Sequence, residues 1–234
     1  MSQIENETEE KQQVARLVSE IETALEALPL TNAAGLRSVR RQFSKLIAGA
    51  SAELVVEIAD RLVESRRFEH WFLAYELILN HKPALNSLGP RQVLRLGRGL
   101  DSWGAVDTFA CYVAGPAWRQ KQLSDDLINL WARSKDRWQR RAAVVSTVPL
   151  NNKARGGSGD TKRTIAVCQS VASDKDDMVV KALSWALREL SKRDPDAVRE
   201  FLARHEKVLA PRVLREVRNK LSTGRKSGTS SLES

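Results

Sequence analysis

The chain has 234 residues, of which 42% are hydrophobic, and its 38 Lys and Arg against 29 Asp and Glu give a formal charge of +9. This length and apolar content are enough for a sizeable core that folds without covalent or metal support. Cys111 and Cys168 form neither a CxxC pair nor a Cys/His ligand set, which argues against a disulfide framework and a structural zinc site. The positive charge favours a polyanionic partner over a merely solvated basic surface.

No apolar run approaches the roughly 20 residues that a membrane span needs, and the N-terminal segment MSQIENETEEKQQ is polar and acidic. We therefore expect neither a membrane span nor a signal peptide. The cysteine usage fits a reducing compartment, so we expect a cytoplasmic protein.

Apolar residues recur at the helical period along nearly the whole chain, and no alternating run of β-branched residues is long enough to predict a strand. The first predicted helices carry apolar stripes over 14–28, ended by Pro29, over 36–47, ended near Gly49, over 54–62 after the N-cap Ser51, and over 68–79, ended by the sequence HKP. Further helices are predicted at 90–100, 103–114, 121–133, 137–149, 161–173, 176–193, 195–205 and 211–221.

This succession of helices with short connections has an apparent unit of about 35–45 residues, which is typical of HEAT-like repeats. We predict an all-α fold in which antiparallel helix pairs stack into a right-handed superhelix of the HEAT or armadillo kind, with a concave basic cleft. Residues 1–221 are predicted to form a single domain. The small, polar residues 222–234 are predicted to be a flexible tail.

In the predicted helix 103–114, an acid stands among apolar neighbours. Trp103, Val106, Ala110 and Val113 share one face at about 100° per residue, and Asp107 falls beside Trp103 at the edge of that face. A buried charge costs free energy and needs a compensating reason. Asp107 is therefore either an acid that caps or pairs locally, or a functional carboxylate.

Arg141 and Trp185 also contradict the patterns of their helices. Arg141 lies where the apolar stripe of 137–149 calls for a leucine, and it is either a snorkelling arginine or a functional one. Trp185 lies opposite the stripe of 176–193, among Lys181, Arg188 and Lys192. It is either an ordinary surface tryptophan or a stacking platform on a phosphate-attracting face, and the surrounding cations favour the platform.

Basic residues are grouped elsewhere as well. Arg37, Arg41 and Lys45 follow one another at i, i+4 and i+8, although such rows are usually solvated faces. In the loop KARGGSGDTKR, glycines would let the backbone approach a phosphate that the cations attract, but its spacing is not that of a Walker loop. The candidate phosphate contacts are Arg37, Arg41, Lys45, Lys153, Arg155, Lys181, Arg188 and Lys192.

No HExxH, GxSxG, GxGxxG or kinase signature is present, and the three histidines lack ligand spacing, so we expect no metal and no cofactor. The remaining carboxylate, arginine and indole groups suit one reaction. An N-alkylated purine in DNA already carries a positive charge, so its departure as a neutral base needs no general acid, and a carboxylate stabilises the oxocarbenium-like sugar and orients water. At an effective dielectric constant of about 20, a charge pair at about 4 Å is worth roughly 4 kcal/mol, or about 10³-fold in rate.

Four stretches resemble the DNA alkylation-repair family of HEAT-like-repeat DNA glycosylases, the AlkD type, and the similarity runs from about Gly35 to Arg218. FEHWFLAYELILNHKPAL looks like the helix pair before the catalytic element of the family, and DSWGAVDTF looks like its SWWDxVD stretch. RWQRRAAVV and KALSWALRELSKRDPDAV are similar to its WLxRAAI and KAIGWxLREYxKxxPxxV segments. The resemblance implies that Asp107 is catalytic, that Trp103 and Trp185 contact the lesion nucleotide, and that Arg141 contacts the DNA.

The implied activity is hydrolysis of the N-glycosidic bond of 3-methyladenine and 7-methylguanine in double-stranded DNA by a monofunctional, cofactor-free monomer. The sequence departs from the family where SWWD is replaced by Trp103 between Ser102 and Gly104, in lacking an N-terminal aromatic residue, and in the length of segment 151–160. The alternatives are a non-catalytic protein that recognises distorted or branched DNA and, more remotely, a helical scaffold for other proteins.

Overall fold

In the computed structural model, the described backbone covers residues 3–227, with side chains described from residue 8 onward, and every regular element in this range is helical. The helices are α1 Gln3–Glu26, α2 Ala33–Leu46, α3 Ala52–Glu64, α4 Phe68–Asn80, α5 Lys82–Ser87, α6 Pro90–Leu96, α7 Trp103–Phe109, α8 Gly115–Arg119, α9 Asp125–Ala132, α10 Arg137–Ser146, α11 Val148–Asn151, α12 Thr161–Ser170, α13 Asp177–Leu190, α14 Pro195–His205 and α15 Pro211–Thr223. A π-helical segment spans Ala110–Ala114 and a 3₁₀ turn spans Lys153–Arg155. The prediction of an all-α protein is confirmed.

Side-chain caps fix where several helices begin. Asn32 accepts hydrogen bonds from the backbone N–H groups of Ala34 and Gly35 at 3.1 and 3.0 Å, and Ser51 accepts one from Leu54 at 3.1 Å. Each bond satisfies an N–H group that has no partner inside its own helix. The predicted cap at Ser51 is confirmed.

The helices form two compact units that meet in sequence between Gln122 and Leu123. In the first unit α4 is the central helix and packs against α2, α3 and α7. Its Tyr75 is fully buried, donates a hydrogen bond to the Leu96 carbonyl at 2.7 Å, and has its ring centroid 5.6 Å from that of Phe109. Burial raises the pKa of the Tyr75 hydroxyl, so it stays a neutral donor that fixes α7 and the end of α6 to the core.

In the second unit α13 is the central helix and packs against α10, α12 and α15. Val179, Leu183, Leu187 and Leu190 of α13 are buried at the helical spacing that the sequence predicts. The boundary of a single domain at 1–221 stays a prediction. Helix α15 ends at Thr223, before Gly224 in the left-handed region, and residues 228–234 of the predicted tail lie outside the described part of the chain.

Glycine and proline explain where two predicted helices differ from the structure and where one further helix begins. Helix α6 ends at Leu96 and not at residue 100, since Gly97 is its C-cap and Gly99 has a φ of +76°, which lies outside the helical region. The predicted end of a helix at the sequence HKP is confirmed, since α4 ends at Asn80, and Pro83 then lies in the first turn of α5, where its missing N–H costs nothing. The predicted helix 137–149 is divided into α10 and α11, and Pro149 lies in the first turn of α11. None of the described helices combines the length and the apolar character that a bilayer crossing requires.

Candidate functional site

Helix α7 holds Trp103 and Asp107 one turn apart. It begins after Ser102, whose φ of −136° and ψ of 150° are extended, and it is anchored by Val106 and Phe109, which are buried. Trp103 is 62% exposed and Asp107 is half-buried. An indole face and a carboxylate therefore lie one turn apart on a helix whose other side is fixed in the core, which is a suitable arrangement for contacting a ligand.

Trp103 differs in burial from Val106, Ala110 and Val113, with which the helical period predicts that it shares a face. Those three residues are fully buried, whereas Trp103 is largely exposed. The reason is that Trp103 is the first residue of α7, so its side chain lies at the end of the helix, beyond the residues that pack in the core.

The predicted helix 103–114 is also not regular, because a π-helical segment follows α7. The N–H of Gly115 donates to the carbonyl of Ala110, five residues earlier. Pro116 comes next, and a proline has no N–H and would clash with the carbonyl four residues before it in a regular helix. The wider π turn accommodates this proline and rotates the residues that follow, and such turns are frequent at functional sites.

Arg37 is connected to this region by several contacts. Its guanidinium donates to Glu76 at 3.0 Å and to the Tyr112 hydroxyl at 3.4 Å, and it lies 5.6 Å from the centre of the Phe72 ring. Tyr112 belongs to the π segment. The hydrogen bond to Tyr112 and the bond to Glu76 raise the pKa of Arg37, so this candidate phosphate contact is a fixed cation that also joins α2, α4 and the π segment.

Glu76 is buried and binds a second arginine, Arg40, at 3.2 Å. One carboxylate therefore compensates two guanidinium groups and leaves a positive balance on α2. Arg41 and Lys45 are exposed on the same helix, and neither forms an ion pair with any residue in the described range. These two predicted phosphate contacts are consequently available to an anion.

Arg141 of α10 is buried, with 5% of its surface exposed, and its guanidinium donates to the backbone carbonyl of Met178 in the first turn of α13. A guanidinium has five N–H groups and can bind several partners at once. Arg141 also contributes to the lowered pKa of Asp177, for which a hydrogen bond from Lys181 is the largest cause. The structure thus gives Arg141 a role in joining α10 to α13, the helix that carries Trp185.

Trp185 is half-buried, and the three cations predicted around it are each paired with an acid. Lys181 lies 2.6 Å from Asp177, and Lys192 lies 2.7 Å from Glu189. Arg188 lies 3.9 Å from Glu216 and donates to Ser184 at 3.3 Å. Burial lowers the pKa of Arg188, and Glu216 and Glu189 oppose that effect. The surface beside Trp185 is therefore a network of compensated charges, which the sequence pattern did not predict.

The glycines of segment 151–160 have a folding role. The N–H groups of Gly156, Gly157 and Gly159 donate to the carbonyls of Lys153, Asn152 and Leu150 at 2.9–3.0 Å, so these amides are already used within the chain. Gly157 is buried against the backbone of Pro149 and Leu150, where a Cβ would overlap the Pro149 carbonyl. Because these amides are bonded within the chain, attraction of a phosphate to this loop would come from its cationic side chains, and the predicted phosphate contact stays a prediction.

The side chain of Arg193 holds this loop from the other end of α13. It donates to the Asn151 carbonyl at 2.8 Å and to the Gly157 carbonyl at 3.0 Å. Lys153 is exposed and Arg155 is half-buried on this fixed loop. Both predicted cations are therefore held on a well-defined backbone and not on a mobile one.

In the first unit, Phe68 lies against Gly104 next to Trp103 and was not among the site residues predicted from the sequence. It is the first residue of α4 and is 42% exposed, and its ring lies against Gly104, where a Cβ would be 3.0 Å from Cε2 of the ring. A glycine inside the first turn of a helix, next to the candidate site residue Trp103, was the signal that a ring packs there.

Two groups of predicted residues are brought together, one in each unit. Trp103 and Asp107 share α7 in the first unit, and Arg141 is bonded to the helix of Trp185 in the second. No cluster of three or more His, Cys, Asp or Glu side chains suited to a metal ion occurs among the residues that the structure describes. The histidines have structural surroundings, and His81 caps α5 by accepting a hydrogen bond from the Ala84 N–H at 3.1 Å.

Comparison with known proteins gives one finding. The family model described as DNA alkylation repair enzyme matches residues 31–221, a range that includes all of α2 and extends into α15. No curated protein and no solved structure matches the chain. The matched range covers most of the sequence and contains Trp103, Asp107, Arg141 and Trp185, so this chain belongs to the family of DNA alkylation repair enzymes.

Proposed function

We propose that this DNA repair enzyme is a monofunctional N-glycosylase that releases the cationic adducts 3-methyladenine and 7-methylguanine from double-stranded DNA. It would act as a monomer, without a cofactor, in the cytoplasm. The observation that carries the proposal is the half-buried carboxylate of Asp107 one turn from the 62% exposed indole of Trp103, in a chain of the DNA alkylation repair family.

In the proposed reaction, the bond between C1′ of the sugar and the purine nitrogen breaks first. Its electron pair leaves with the base, which neutralises the positive charge of the alkylated purine, and the sugar becomes an oxocarbenium ion. The Asp107 carboxylate stabilises this cation, and water attacks C1′ and loses a proton to give an abasic site. At an effective dielectric constant of about 20, such a charge pair at about 4 Å contributes roughly 4 kcal/mol, or about 10³-fold in rate.

The tryptophans would supply selectivity. A cationic adduct gains cation–π attraction over an indole face, worth up to about 2 kcal/mol when desolvated, and a neutral base does not. Trp103 is exposed enough to take this role directly, and Trp185 is assigned a second contact with the lesion nucleotide. Arg141 would contact a phosphate of the DNA near the lesion nucleotide, since a guanidinium suits bidentate binding of a phosphate.

The other cations would bind the DNA backbone without reading its sequence. Arg41 and Lys45 have no ion-pair partner among the described residues, Arg37 is held by Glu76, and Lys153 and Arg155 lie on the loop 151–160. Lys181, Arg188 and Lys192 are paired with acids and would have to exchange those partners for phosphate. The right-handed superhelix with a concave basic cleft stays a prediction.

The experiment is to incubate the purified protein with methylated duplex DNA and to measure both released bases and abasic sites. Release of 3-methyladenine and 7-methylguanine with one abasic site per base, and without strand cleavage by the protein itself, is the expected result. If no base is released although the protein binds the duplex, the glycosylase proposal fails and the chain binds DNA without this chemistry. A protein that neither binds DNA nor releases bases would contradict both.

A further inference from the structure

Two large aromatic side chains are exposed next to each other where α4 and α7 begin. Phe68 is 42% exposed and Trp103 is 62% exposed. Gly104 follows Trp103 directly, and the Phe68 ring occupies the space that a side chain on Gly104 would fill, with three ring carbons 3.0–3.7 Å from that Cβ position. We call the exposed side chains of Phe68 and Trp103, together with Gly104, the aromatic edge. Exposed aromatic surface of this kind marks an interaction site.

The close packing of the Phe68 ring, and not the backbone conformation at position 104, explains why this residue is a glycine. A glycine inside a helix is less favourable than an alanine at the same position. Gly104 is helical and is not among the glycines with positive φ, so any residue could adopt its conformation. The cost is therefore explained by the close approach of Phe68, which a Cβ would displace.

Buried rings hold Phe68 from behind. Its centroid lies 6.1 Å from that of Phe72, and Phe72 in turn lies 6.3 Å from Tyr112 in an edge-to-face arrangement. Phe72 is buried and carries the Arg37 guanidinium over its ring. The exposed face of Phe68 is thus supported by a fixed row of rings, which is the preorganisation that a stacking contact needs.

Cations flank the aromatic edge on the two loops that lead into α4 and α7. The Nε of Arg66 lies 3.5 Å from the Cβ position of Gly99, so the two loops lie side by side. Arg66 has a φ of 56° directly after Ser65, the C-cap of α3, and a left-handed residue is common at this position. Arg66 and Arg98 are exposed, and neither forms an ion pair within the described range.

Exposed rings between unpaired arginines fit a nucleic-acid strand, because bases stack on the rings while phosphates meet the guanidinium groups. We infer that Phe68 is a second aromatic contact, which stacks on the nucleobase next to the nucleotide at Trp103, and that Arg66 and Arg98 bind the adjoining phosphates. This rests on the proposed DNA substrate at Trp103. An apolar protein partner would leave both arginines without a counter-charge.

The test measures affinity by fluorescence anisotropy for a duplex that contains one tetrahydrofuran abasic analogue, which no glycosylase can process. Phe68→Leu keeps apolar volume against Gly104 and removes the ring face, and we expect it to weaken binding about tenfold or more. Phe68→Tyr keeps the ring and should bind within about twofold of the parent. Leu94→Ala, which removes a 47% exposed side chain of α6, is the matched control and should have no effect. Equal affinity of Phe68→Leu and the parent would overturn the inference.

Salt dependence tests the two arginines separately and does not disturb the core. Arg66→Gly suits the positive φ of that position, and in combination with Arg98→Ala it should reduce the slope of log affinity against log salt by about 1.8, or about 0.9 for each lost phosphate contact. The Phe68 variants should leave this slope unchanged. If Phe68→Leu does not fold, Gly104→Ala replaces it, because its Cβ must move the ring and should weaken the same binding.

These outcomes are distinguishable from a failure of the proposed function. If the protein releases no base but Phe68→Leu still binds the abasic duplex more weakly, the glycosylase proposal fails and the aromatic contact stands. If bases are released and the Phe68 and arginine variants bind like the parent, the glycosylase proposal stands and the aromatic contact is wrong.

Discussion

The surface around α7 in the first unit and the surface around α13 in the second unit differ in how their aromatic and cationic side chains are partnered. Around α7, two rings are exposed and several arginines lack an acidic partner among the described residues. Around α13, Trp185 is half-buried and each neighbouring cation is paired with an acid. The first surface has groups available for a ligand, and the second has its charges compensated by its own chain. Net charge alone does not distinguish the two surfaces, because a cation that is already paired with an acid of the same chain is less available to a ligand.

The compensated arginines of the first unit provide the largest expected effect on stability. Glu76 is buried and binds both Arg37 and Arg40, so Glu76→Gln would leave two guanidinium groups facing a neutral side chain. We expect the free energy of unfolding to fall by about 2 kcal/mol, less than the 3–5 typical of a fully buried pair because Arg37 is partly exposed. Urea denaturation measures this. Unchanged stability would show that this network does not support α2, and Glu57→Gln, on a more exposed pair, is the control.

The two tryptophans should respond differently to truncation. Trp103→Ala removes a 62% exposed side chain and should weaken binding to a methylated duplex about tenfold, with little change in thermal stability. Trp185→Ala removes a half-buried side chain and should lower the melting temperature by several degrees as well. Parallel melting curves and anisotropy titrations check this. If Trp185→Ala were the variant that lost only binding, the distinction between the two surfaces would fail.

Paired and unpaired cations give a smaller contrast in the salt dependence of DNA binding. Arg41→Ala with Lys45→Ala removes two exposed cations of α2 and should lower the slope of log affinity against log salt by about 1.8. The matched variant, Lys181→Ala with Lys192→Ala, removes cations already paired with Asp177 and Glu189 and should lower the slope by less. Equal reductions would mean that the acids beside Trp185 do not limit DNA binding.

Acid pH should reveal the weakest effect, at Asp177. The hydrogen bond and charge of Lys181 lower the pKa of this carboxyl below its usual 3.8, with smaller contributions from Arg212 and Arg141. A carboxyl whose pKa is lower in the folded state stabilises the fold above its unfolded pKa, and that contribution is lost as the pH falls below 3.8. Asp177→Asn should therefore slightly flatten the decline in stability at acid pH. A steeper decline than in the parent would contradict this assignment.

Sequence period was sufficient to predict the helices that have one clear apolar stripe, such as α3 and α13, and the spacing of Trp103 and Asp107 predicted that they are one turn apart. Long-range partners were not predictable. Glu76 and Arg37 are 39 positions apart, and nothing local indicates that Glu76 binds two arginines or that Arg141 reaches Met178. The π segment depends on Pro116 and on the packing of the whole helix. Helix α5 was not predicted because a proline such as Pro83 can either end a helix or lie in the first turn of one.

The central claim is that Asp107 stabilises the transition state of base release. Single-turnover release of 7-methylguanine from a methylated duplex should fall about 10³-fold in Asp107→Asn, while affinity for the abasic-analogue duplex stays within about twofold of the parent. Asp101→Asn, at an exposed acid just before α7, should release the base at the parent rate. Undiminished release by Asp107→Asn would contradict the account.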